Sequence, residues 1–431
     1  MFLAITIGAL TCLAMILLVL FLPKIQIGKF SVSSYWIATL VGAVAMLLSG
    51  SVDVSLLWQA LVANNAINPL KILVLFICMT ILSIFLDEFG FFKYLANCAL
   101  KHAGTSQTKL FLILYATVSV LTVFTSNDII ILSFTPLVCY FAKNAHINPI
   151  PYLAAEFVAA NTWSMALIIG NPTNIYLVTA VGGNFLSYLQ VMLLPTLASG
   201  VVALLCLVLL FHKNLSTPIC ATWEEVVIKD KLLLWVGIVH LAVCTLVLAV
   251  GSYIGIEMWL VSLLSVASLF VWNVGIAIAR RKKPSTLVAC LKRAPWELIP
   301  FVLSMFVIVE ALGETGVTTE IFNLLGSSQP VWKYGIASFF ASNLVNNIPM
   351  SVLFSAVLEN TTTNTAAVYA TVVGSNLGAC LTPIGALAGI MWTSILKKQN
   401  LKFGYLDFLK IGATVAIPAL VVALGVLALV V

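Results

Sequence analysis

The chain has 431 residues, of which 62% are hydrophobic and 8% are Asp, Glu, Lys or Arg, with a formal net charge of +6. Soluble globular domains carry about a quarter charged residues, so this composition excludes an ordinary water-soluble enzyme or binding domain and indicates a polytopic membrane protein. The basic excess marks the orientation of the chain in a lipid bilayer and predicts no nucleic-acid partner.

Eight uninterrupted apolar stretches have the length of a membrane-spanning helix, about 18 to 25 residues. They cover residues 1–22, 33–50, 70–90, 186–212, 232–252, 258–279, 296–313 and 403–431. We expect each of these stretches to cross the bilayer once.

Two further apolar stretches are interrupted by helix-breaking residues. Residues 152–180 contain GNPTN (170–174), and residues 365–396 contain GSNLGACLTPIG (374–385). Proline removes a backbone donor, and glycine weakens a helix interior. These two stretches are therefore predicted to be helices broken inside the membrane.

Another two apolar stretches are each split by a polar tip. The first, 109–144, has its tip at 126–128 in TSND, and the second, 331–358, has its tip at 346–349, which begins within NLVNN. We predict two re-entrant hairpins. Unpaired backbone groups cannot face lipid, so irregular backbone at membrane depth is expected only where it lines an enclosed, hydrated site.

The same order of elements appears twice. Residues 1–212 and 232–431 each contain three spans, a hairpin, a broken helix and a last span, with a predicted cytoplasmic linker at 213–231. An odd number of crossings inserts the halves in opposite orientations, which predicts an inverted repeat. The predicted fold is thus all-α and polytopic, with about ten transmembrane helices plus two re-entrant hairpins in two inverted-topology repeats.

Local similarity and charge agree with this organisation. LDEFGFFKYLANC (86–98) aligns without gaps on LGETGVTTEIFNL (312–324), sharing Leu, Glu, Gly and Asn. In this topology one side of the membrane receives 19 of the 21 basic residues, and the other receives only Lys71 and Lys333. Basic residues collect on the cytoplasmic side, so both termini are predicted to lie outside the cytoplasm, in a multi-pass protein of the plasma membrane.

Motifs for common enzymatic chemistry are missing from the sequence. There is no G-x-x-x-x-G-K-[ST] phosphate loop, no H-E-x-x-H and no C-x-x-C pair, and the four histidines lack ligand spacing. We therefore predict no catalytic residues, no resident metal and no cofactor. The chain is interpreted as a secondary transporter, not an enzyme; a receptor or an intramembrane protease is disfavoured by the lack of a folded ligand domain and of paired aspartates.

The four interruptions are predicted to form a binding site for a small solute. A helix that stops inside the membrane offers free N–H groups to an anion or free carbonyls to a cation. The predicted substrate- or ion-binding residues share these positions and are Ser126, Asn127, Asp128, Asn161, Gly170, Asn171, Pro172, Thr173, Asn174, Asn346, Asn347, Ser375, Asn376, Thr382 and Pro383. An alternative role for the glycines, including Gly374 and Gly378, is close packing of helices.

Asp128 is the predicted proton-coupling residue. A carboxyl at a hairpin tip deep in the protein is costly while ionised and tends to hold a proton or a cation. It would repel a carboxylate, which favours a proton- or sodium-coupled carrier of a neutral or cationic solute. Asp87 and Glu88 fit a snorkelling surface role equally well, and the roles of Glu156 and Glu310 stay open.

Six segments together resemble the arsenite and antimonite efflux permeases, the arsenical pump membrane proteins of an ion-transporter superfamily that also includes citrate, dicarboxylate and sodium/proton carriers. They are LDEFGFF (86–92), NDIIILSFTPLV (127–138), RAPWELIPF (293–301), NNIPMSVL (346–353), LGACLTPIGALAGIMW (377–392) and KKQNLKFGYLDFLKIG (397–412). The resemblance covers nearly the whole chain. It implies two inverted repeats that meet at a mid-membrane site and export of a trivalent metalloid hydroxide against protons, sometimes beside a separate ATPase subunit.

The sequence also departs from that family. Arsenite pumps usually carry an acid in each broken helix, whereas this chain has Asn161 and Asn376, and its GNPTN is closer to the carboxylate branch. The alternative is therefore sodium- or proton-coupled transport of a small carboxylate, such as citrate or a dicarboxylate, or of another anion. The oligomeric state stays open, with a homodimer as one alternative.

Overall fold

The protein is almost entirely helical. The structure, a computed structural model, describes residues 1–22, 24–27, 30–63, 68–179, 182–219, 228–251, 255–359 and 365–431. Within these ranges there are twenty α-helices, ten on each side of the connection that follows Leu215. Residues 220–227 of the predicted linker 213–231 lie outside the described part of the chain.

The two halves contain helices in the same order. Those of the first half are α1 (Phe2–Phe21), α2 (Ser34–Leu48), α3 (Val54–Val62), α4 (Pro69–Glu88), α5 (Phe91–Ala103), α6 (Gln107–Phe124), α7 (Asn127–Asn144), α8 (Ile150–Trp163), α9 (Pro172–Thr179) and α10 (Phe185–Leu215). Those of the second half are α11 (Lys231–Gly251), α12 (Met258–Ala279), α13 (Ser285–Arg293), α14 (Leu298–Glu314), α15 (Val317–Leu325), α16 (Pro330–Val345), α17 (Asn347–Glu359), α18 (Thr365–Gly378), α19 (Leu387–Lys398) and α20 (Tyr405–Val430).

Corresponding helices have similar lengths and break at matching places. α3 and α13 have nine residues each, and α8 and α18 have fourteen each. The ends of α8 and α18 are separated by the same number of residues as the starts of α9 and α19. This matched order supports our proposal that residues 1–212 and 232–431 are inverted repeats.

Eight helical segments of the described chain are long and apolar enough to cross a membrane. Seven of them coincide with predicted spans, and the eighth is α6, the first arm of the first predicted hairpin. The predicted span at 33–50 is not among them. Its helix, α2, has 15 residues and is about 22 Å long, short of a hydrocarbon core of about 30 Å.

A short β-hairpin precedes α2. The strands β1 (Lys24–Ile27) and β2 (Phe30–Ser33) pair in antiparallel register, with Lys24 opposite Ser33. They are the one departure from the predicted all-α fold within the described residues. Four-residue strands carry too weak an alternation of apolar and polar side chains to stand out in an apolar sequence.

The two short broken-helix arms α8 and α18 lie at the centre of the molecule. Residues 151–162 of α8 and 367–378 of α18 are all buried. At about 21 Å each, these helices end inside the protein, short of a full crossing. α6 packs on α8, and α16 packs on α18.

Packing also crosses between the halves. The second arm of the first hairpin, α7, packs against α19 of the second broken helix, and α17 packs against α9 in the reciprocal way. All four interrupted segments are thereby held in one packed unit.

An ionic cluster joins two of the family-like segments at one end of α4. Arg293 binds both acids at the end of that helix, with its Nη2 2.6 Å from Asp87 Oδ2 and its Nη1 2.5 Å from Glu88 Oε1. Ser133 Oγ on α7 donates to Asp87 Oδ1 at 2.9 Å. Acids at a helix C-terminus oppose the helix dipole, so Arg293 offsets an unfavourable charge arrangement and ties α13, α4 and α7 together.

We expect Arg293→Gln to lower the thermal stability of the purified protein. Asp87, whose side chain is 10% exposed, would lose its cation at the negative end of α4, at a cost of about 1–3 kcal/mol. The apparent Tm in detergent, followed by a thiol-reactive dye, measures the loss. Lys292→Gln is the matched control, because no ion pair is found for Lys292 among the described residues. Equal apparent Tm values for the two variants would contradict a stabilising role for the cluster.

Candidate functional site

The first predicted tip is narrower than expected. α6 ends at Phe124 and α7 begins at Asn127, so only Thr125 and Ser126 form the turn. The predicted tip at 126–128 therefore lies partly in a helix, with Asn127 and Asp128 in the first turn of α7. Free N–H groups and the positive end of the dipole favour an acid at this position.

The first tip contacts the first broken helix. Asn127 Nδ2 donates to Asn161 Oδ1 at 3.2 Å, and Asn161 Nδ2 donates to the carbonyl oxygen of Phe157 at 2.8 Å. Ser164 Oγ donates to the carbonyl oxygen of Asn161 at 2.8 Å. The predicted residues Asn127 and Asn161 are thus brought together.

The first break begins earlier than predicted. α8 ends at Trp163, two 3-10 turns follow at Ser164–Ala166 and Ile168–Gly170, and α9 begins at Pro172. Proline is favoured at the first position of a helix, so Pro172, Thr173 and Asn174 lie in the first turn of α9, not in the break. A Cβ on Gly170 would lie 2.2 Å from the carbonyl oxygen of Ser164, so only glycine fits this tight return of the chain.

The second tip is a single residue. Asn346 separates α16 from α17 and has a φ of 74° and a ψ of 151°, a strained backbone conformation that is common only for glycine. The predicted residues Asn347 and Pro349 lie in α17. Asn346 Nδ2 donates to the carbonyl oxygen of Ile384 at 3.0 Å. The backbone N–H of Asn347 donates to the carbonyl oxygen of Gly385 at 2.9 Å. This tip therefore rests on the second break.

The second break starts later than predicted, whereas the first starts earlier. α18 runs without interruption through Gly374 to Gly378, and α19 begins at Leu387. Ser375 and Asn376 thus occupy the last turn of α18, whereas Thr382 and Pro383 lie in the irregular segment. Gly374 does not break the helix. It lies where α18 packs closely on α16.

Asn376 joins the two breaks. Its Oδ1 accepts from Ser164 Oγ at 2.9 Å and from Asn171 Nδ2 at 3.0 Å. Its Nδ2 donates to Asn174 Oδ1 at 2.7 Å and to the carbonyl oxygen of Val372 at 2.9 Å. The side chain uses both of its N–H groups and both lone-pair directions of its oxygen.

This geometry accounts for the amide at position 376. A carboxylate could accept from Ser164 and Asn171, but it could not donate to Asn174 Oδ1. An acid here would leave two carboxyl or amide oxygens facing each other in a buried site. The amide is therefore built into the contact between the two halves.

Three hydroxyl groups beside this network have no partner in the described structure. Ser126 Oγ, Thr162 Oγ1 and Ser375 Oγ are buried and make no hydrogen bond. Buried hydroxyls are normally paired with protein or water. Each lies next to a residue of the network in sequence, namely Asn127, Asn161 or Asn376.

Asp128 lies at the first tip, in the first turn of α7. No hydrogen bond or ion pair to its carboxylate is found among the described residues. It lies within electrostatic range of Tyr35 on α2, and Tyr35 also lines a cavity of about 10 Å³ with Asn346 and Ile384. A cavity of this size has room for about one water.

The remaining predicted residues make local contacts. The N–H of Thr173 is bonded to Asn171 Oδ1 at 3.2 Å, and its Oγ1 to Asn174 Oδ1 at 3.4 Å. Thr382 Oγ1 donates to Asn343 Oδ1 at 2.6 Å. Within the described residues, Gly170, Pro172 and Pro383 contribute backbone shape only.

Two residues of the network were missed by the sequence analysis. Ser164 lies in the predicted broken helix 152–180, three residues after Asn161, and Asn343 begins NLVNN, three residues before Asn346. Asn343 Nδ2 donates to the carbonyl oxygen of Gly378 at 3.0 Å, which satisfies the end of α18. A spacing of three residues from a predicted site residue was the signal that could have identified both.

Comparison with known proteins gives a family match over most of the chain. The sequence profile described as "Citrate transporter" matches residues 15–370. The arsenical pump membrane protein of Escherichia coli K12 is 29% identical, with 96% of each chain covered. A putative arsenical pump membrane protein of Bacillus subtilis is 25% identical, covering 86% of this chain and 88% of the relative.

A solved structure has the same overall fold. It is the YdaH transporter of Alcanivorax borkumensis, described as having an unusual topology, with a TM-score of 0.54 and 13% sequence identity. The similarity covers 99% of this chain and 97% of the other.

Proposed function

Because the chain belongs to the citrate transporter family, we propose that this secondary membrane transporter exports arsenite and antimonite in exchange for protons, by alternating access. Its similarity to arsenical pump membrane proteins extends over nearly the full length of both chains. The proposed substrate site is the network around Asn376 together with the two hairpin tips.

The neutral chemistry of the site is the observation that carries this proposal. Its side chains are amides and hydroxyls, and Asp128 is the one acid at the tips. A trivalent metalloid hydroxide is a small neutral solute that can both donate and accept hydrogen bonds. The unpartnered hydroxyls of Ser126, Thr162 and Ser375 match such a solute better than they match a multiply charged anion.

Weak binding by oxygen and nitrogen groups is compatible with export. Trivalent arsenic prefers thiolates, and among the described residues no cluster of three His, Cys, Asp or Glu side chains is found. Cys380 is a single buried thiol in the second break. An exporter must release its substrate, so a site without a thiolate cluster favours turnover over tight capture.

We propose that Asp128 carries the coupling proton. Asp128 is half-buried near Tyr35, and no hydrogen-bonded partner of its carboxylate is found among the described residues. A carboxyl that is shielded from water and has no compensating partner favours its neutral, protonated form. Exchange of this proton when the site opens would link the solute to the proton gradient.

Expression in a metalloid-sensitive bacterial strain tests the proposal. We expect the intact protein to raise the arsenite and antimonite concentrations that the strain tolerates, and Asp128→Asn to abolish the gain, because the amide cannot carry a proton. Growth against increasing arsenite is the measurement, with membrane abundance checked by immunoblot. Glu320→Gln is a matched control on α15, outside the site. No gain of tolerance with the intact protein, or a full gain with Asp128→Asn, would rule out this function.

The alternative is coupled transport of a small carboxylate. It is favoured by the family described as citrate transporters and by the amides at Asn161 and Asn376, which do not repel an anion. Reconstituted vesicles with labelled citrate or succinate separate the two functions. Saturable, sodium-dependent or proton-dependent entry of the carboxylate, without arsenite transport, would favour the alternative.

We also propose that both termini lie outside the cytoplasm. The distribution of 19 basic residues on one side against Lys71 and Lys333 on the other supports this orientation. Any separate ATPase subunit would then meet the chain on the basic side, where the connection after α10 lies.

A further inference from the structure

Glu156 is a buried acid to which the proposed mechanism gives no role. It lies in the middle of α8 and is 0% exposed. Thr135 Oγ1 on α7 donates to its Oε1 at 2.8 Å. Its Oε2 is buried and has no partner, and within the described ranges no Lys, Arg or His forms an ion pair with it.

The environment favours the protonated form of this carboxyl. Moving an isolated carboxylate from water into a low-dielectric interior costs far more than one neutral hydrogen bond returns. A neutral carboxylic acid needs much less compensation. The buried, unpartnered position of Oε2 therefore favours the protonated form of Glu156.

The fold does not need an acid at this position. Thr371 is the seventh residue of α18, as Glu156 is of α8, and these two helices match in length and order. Ser355 is the ninth residue of α17, as Thr135 is of α7. Thr371 and Ser355 bond to carbonyls of their own helices, at 2.7 Å each. At the two matching positions of the second half, both of them described, the helices thus pack without a carboxyl.

Position along the helices places Glu156 between the site and one membrane face. It precedes Asn161 by five residues on α8, which is about 7.5 Å of helix, in the direction of Ile150. Asp128 and Thr135 are seven residues apart, about two turns, on one face of α7. Going from Asp128 toward the side of Lys143, the next buried carboxyl on these two arms is Glu156.

Other titratable groups near Glu156 do not replace it. On α7 the Cys139 thiol is within electrostatic range. Phenols on the same or packed helices are engaged elsewhere, in hydrogen bonds or ring contacts: Tyr115 on α6, Tyr152 on α8, Tyr188 on α10 and Tyr369 on α18. Glu156 is therefore the acid that faces the interface of α7 with α8.

We infer that Glu156 is a second proton-binding site, which passes the coupling proton between Asp128 and the side of the membrane where the basic residues collect. This inference rests on the proposed proton coupling and deepens it. When the arms α7 and α8 shift and water enters, the proton on Oε2 passes to water, and the remaining carboxylate keeps the hydrogen bond from Thr135. Rebinding of a proton restores the neutral acid before the next closure.

Transport by reconstituted vesicles distinguishes this role from a structural one. For Glu156→Gln, which keeps an oxygen for Thr135 but cannot release a proton, we expect arsenite transport driven by a pH gradient to fall roughly tenfold or more. Exchange of labelled for unlabelled arsenite without a gradient should stay within about twofold of the unmodified protein. Glu88→Gln, which changes an acid of the Arg293 cluster, is the control. The ratio of its gradient-driven transport to its gradient-free exchange should equal that of the unmodified protein. Unchanged gradient-driven transport, or an equal fall of both modes, would overturn the inference.

Infrared spectroscopy provides a measurement that needs no substrate. Titration of the unmodified protein should show a protonated carboxylic-acid band that is absent from Glu156→Gln. In Thr135→Val the band should persist to higher pH, because the hydroxyl that stabilises the carboxylate is lost. If the unmodified protein transports no arsenite in either mode, the proposed function fails, while this band still decides whether Glu156 binds a proton. A spectrum unchanged in Glu156→Gln would show that it does not.

Discussion

Replacing Asn376 by alanine is expected to abolish transport and to lower the stability of the protein. Three buried groups from the first half, on Ser164, Asn171 and Asn174, would lose their shared partner. Ser164 Oγ keeps the carbonyl oxygen of Asn161 as an acceptor, whereas Asn171 Nδ2 would be left unsatisfied, at a cost of about 1–3 kcal/mol of stability. Transport is expected to stop because the hydrogen bonds that join the two breaks are lost. Solute exchange in reconstituted vesicles measures the rate, and the apparent Tm in detergent measures the stability.

Asn273→Ala is a suitable control for this variant. Asn273 is also a buried asparagine, but it lies on α12, outside the network, and its Oδ1 has no partner in the described structure. We expect its exchange rate to remain within about twofold of the unmodified protein. Asn376→Asp should give an intermediate loss, because two acceptor contacts remain while the donor to Asn174 is lost. Normal exchange by Asn376→Ala would show that the two breaks do not act through this contact.

Asn376 matters because it joins parts of the chain that belong to different halves. The arms α7 and α9 of the first half pack against α19 and α17 of the second, and the hydrogen bonds of Asn376 lie between them. A movement that opened one break alone would break these contacts. Under the proposed alternating access, we therefore expect the four interrupted segments to move together.

The order of the elements could be predicted because lipid imposes strict rules on the backbone. Apolar length gave seven of the eight long spans, and the four polar interruptions gave the places where the helices end near Ser126, Asn346 and the two breaks. The weak alignment of 86–98 on 312–324 also has a structural basis. Its shared glycines, Gly90 and Gly316, both adopt a left-handed φ, 81° and 82°, at the start of a short helix, where a side chain would be strained.

The helix ends at the site and the hydrogen-bond partners of its side chains could not be predicted in the same way. Whether Asn127 belongs to a turn or to the first turn of a helix depends on local capping, and helix ends are ambiguous by one or two residues. The contacts of Asn376 with Asn171 and Asn174 join positions in opposite halves of the chain. A single sequence contains no periodic signal for such a pairing, so the convergence of the two breaks came only from the packing.

The glycines of α18 illustrate a choice that the sequence left open. Gly374 and Gly378 are four residues apart and could have been helix interruptions or packing residues. A Cβ on Gly374 would lie 2.0 Å from Ser338 Oγ and 2.2 Å from the carbonyl oxygen of Gly335. A Cβ on Gly378 would lie 2.6 Å from the carbonyl oxygen of Phe339. Small residues at this spacing let two helices approach closely in a membrane, so here packing is the role.

Gly378→Ala is accordingly expected to prevent normal folding, or to reduce transport as strongly as loss of Asn376 does. The added methyl group meets backbone atoms of α16, which cannot rotate away, so the helices must separate at a cost of about 1–3 kcal/mol or more. Separation would also shift the last turn of α18, which carries Asn376. Gly425→Ala on α20 is the matched control, because no atom lies within 4 Å of its added Cβ, and it should fold and transport normally. The yield of monodisperse protein in detergent and the exchange rate in vesicles measure both outcomes, and a well-folded, fully active Gly378→Ala would contradict the close contact of α16 with α18.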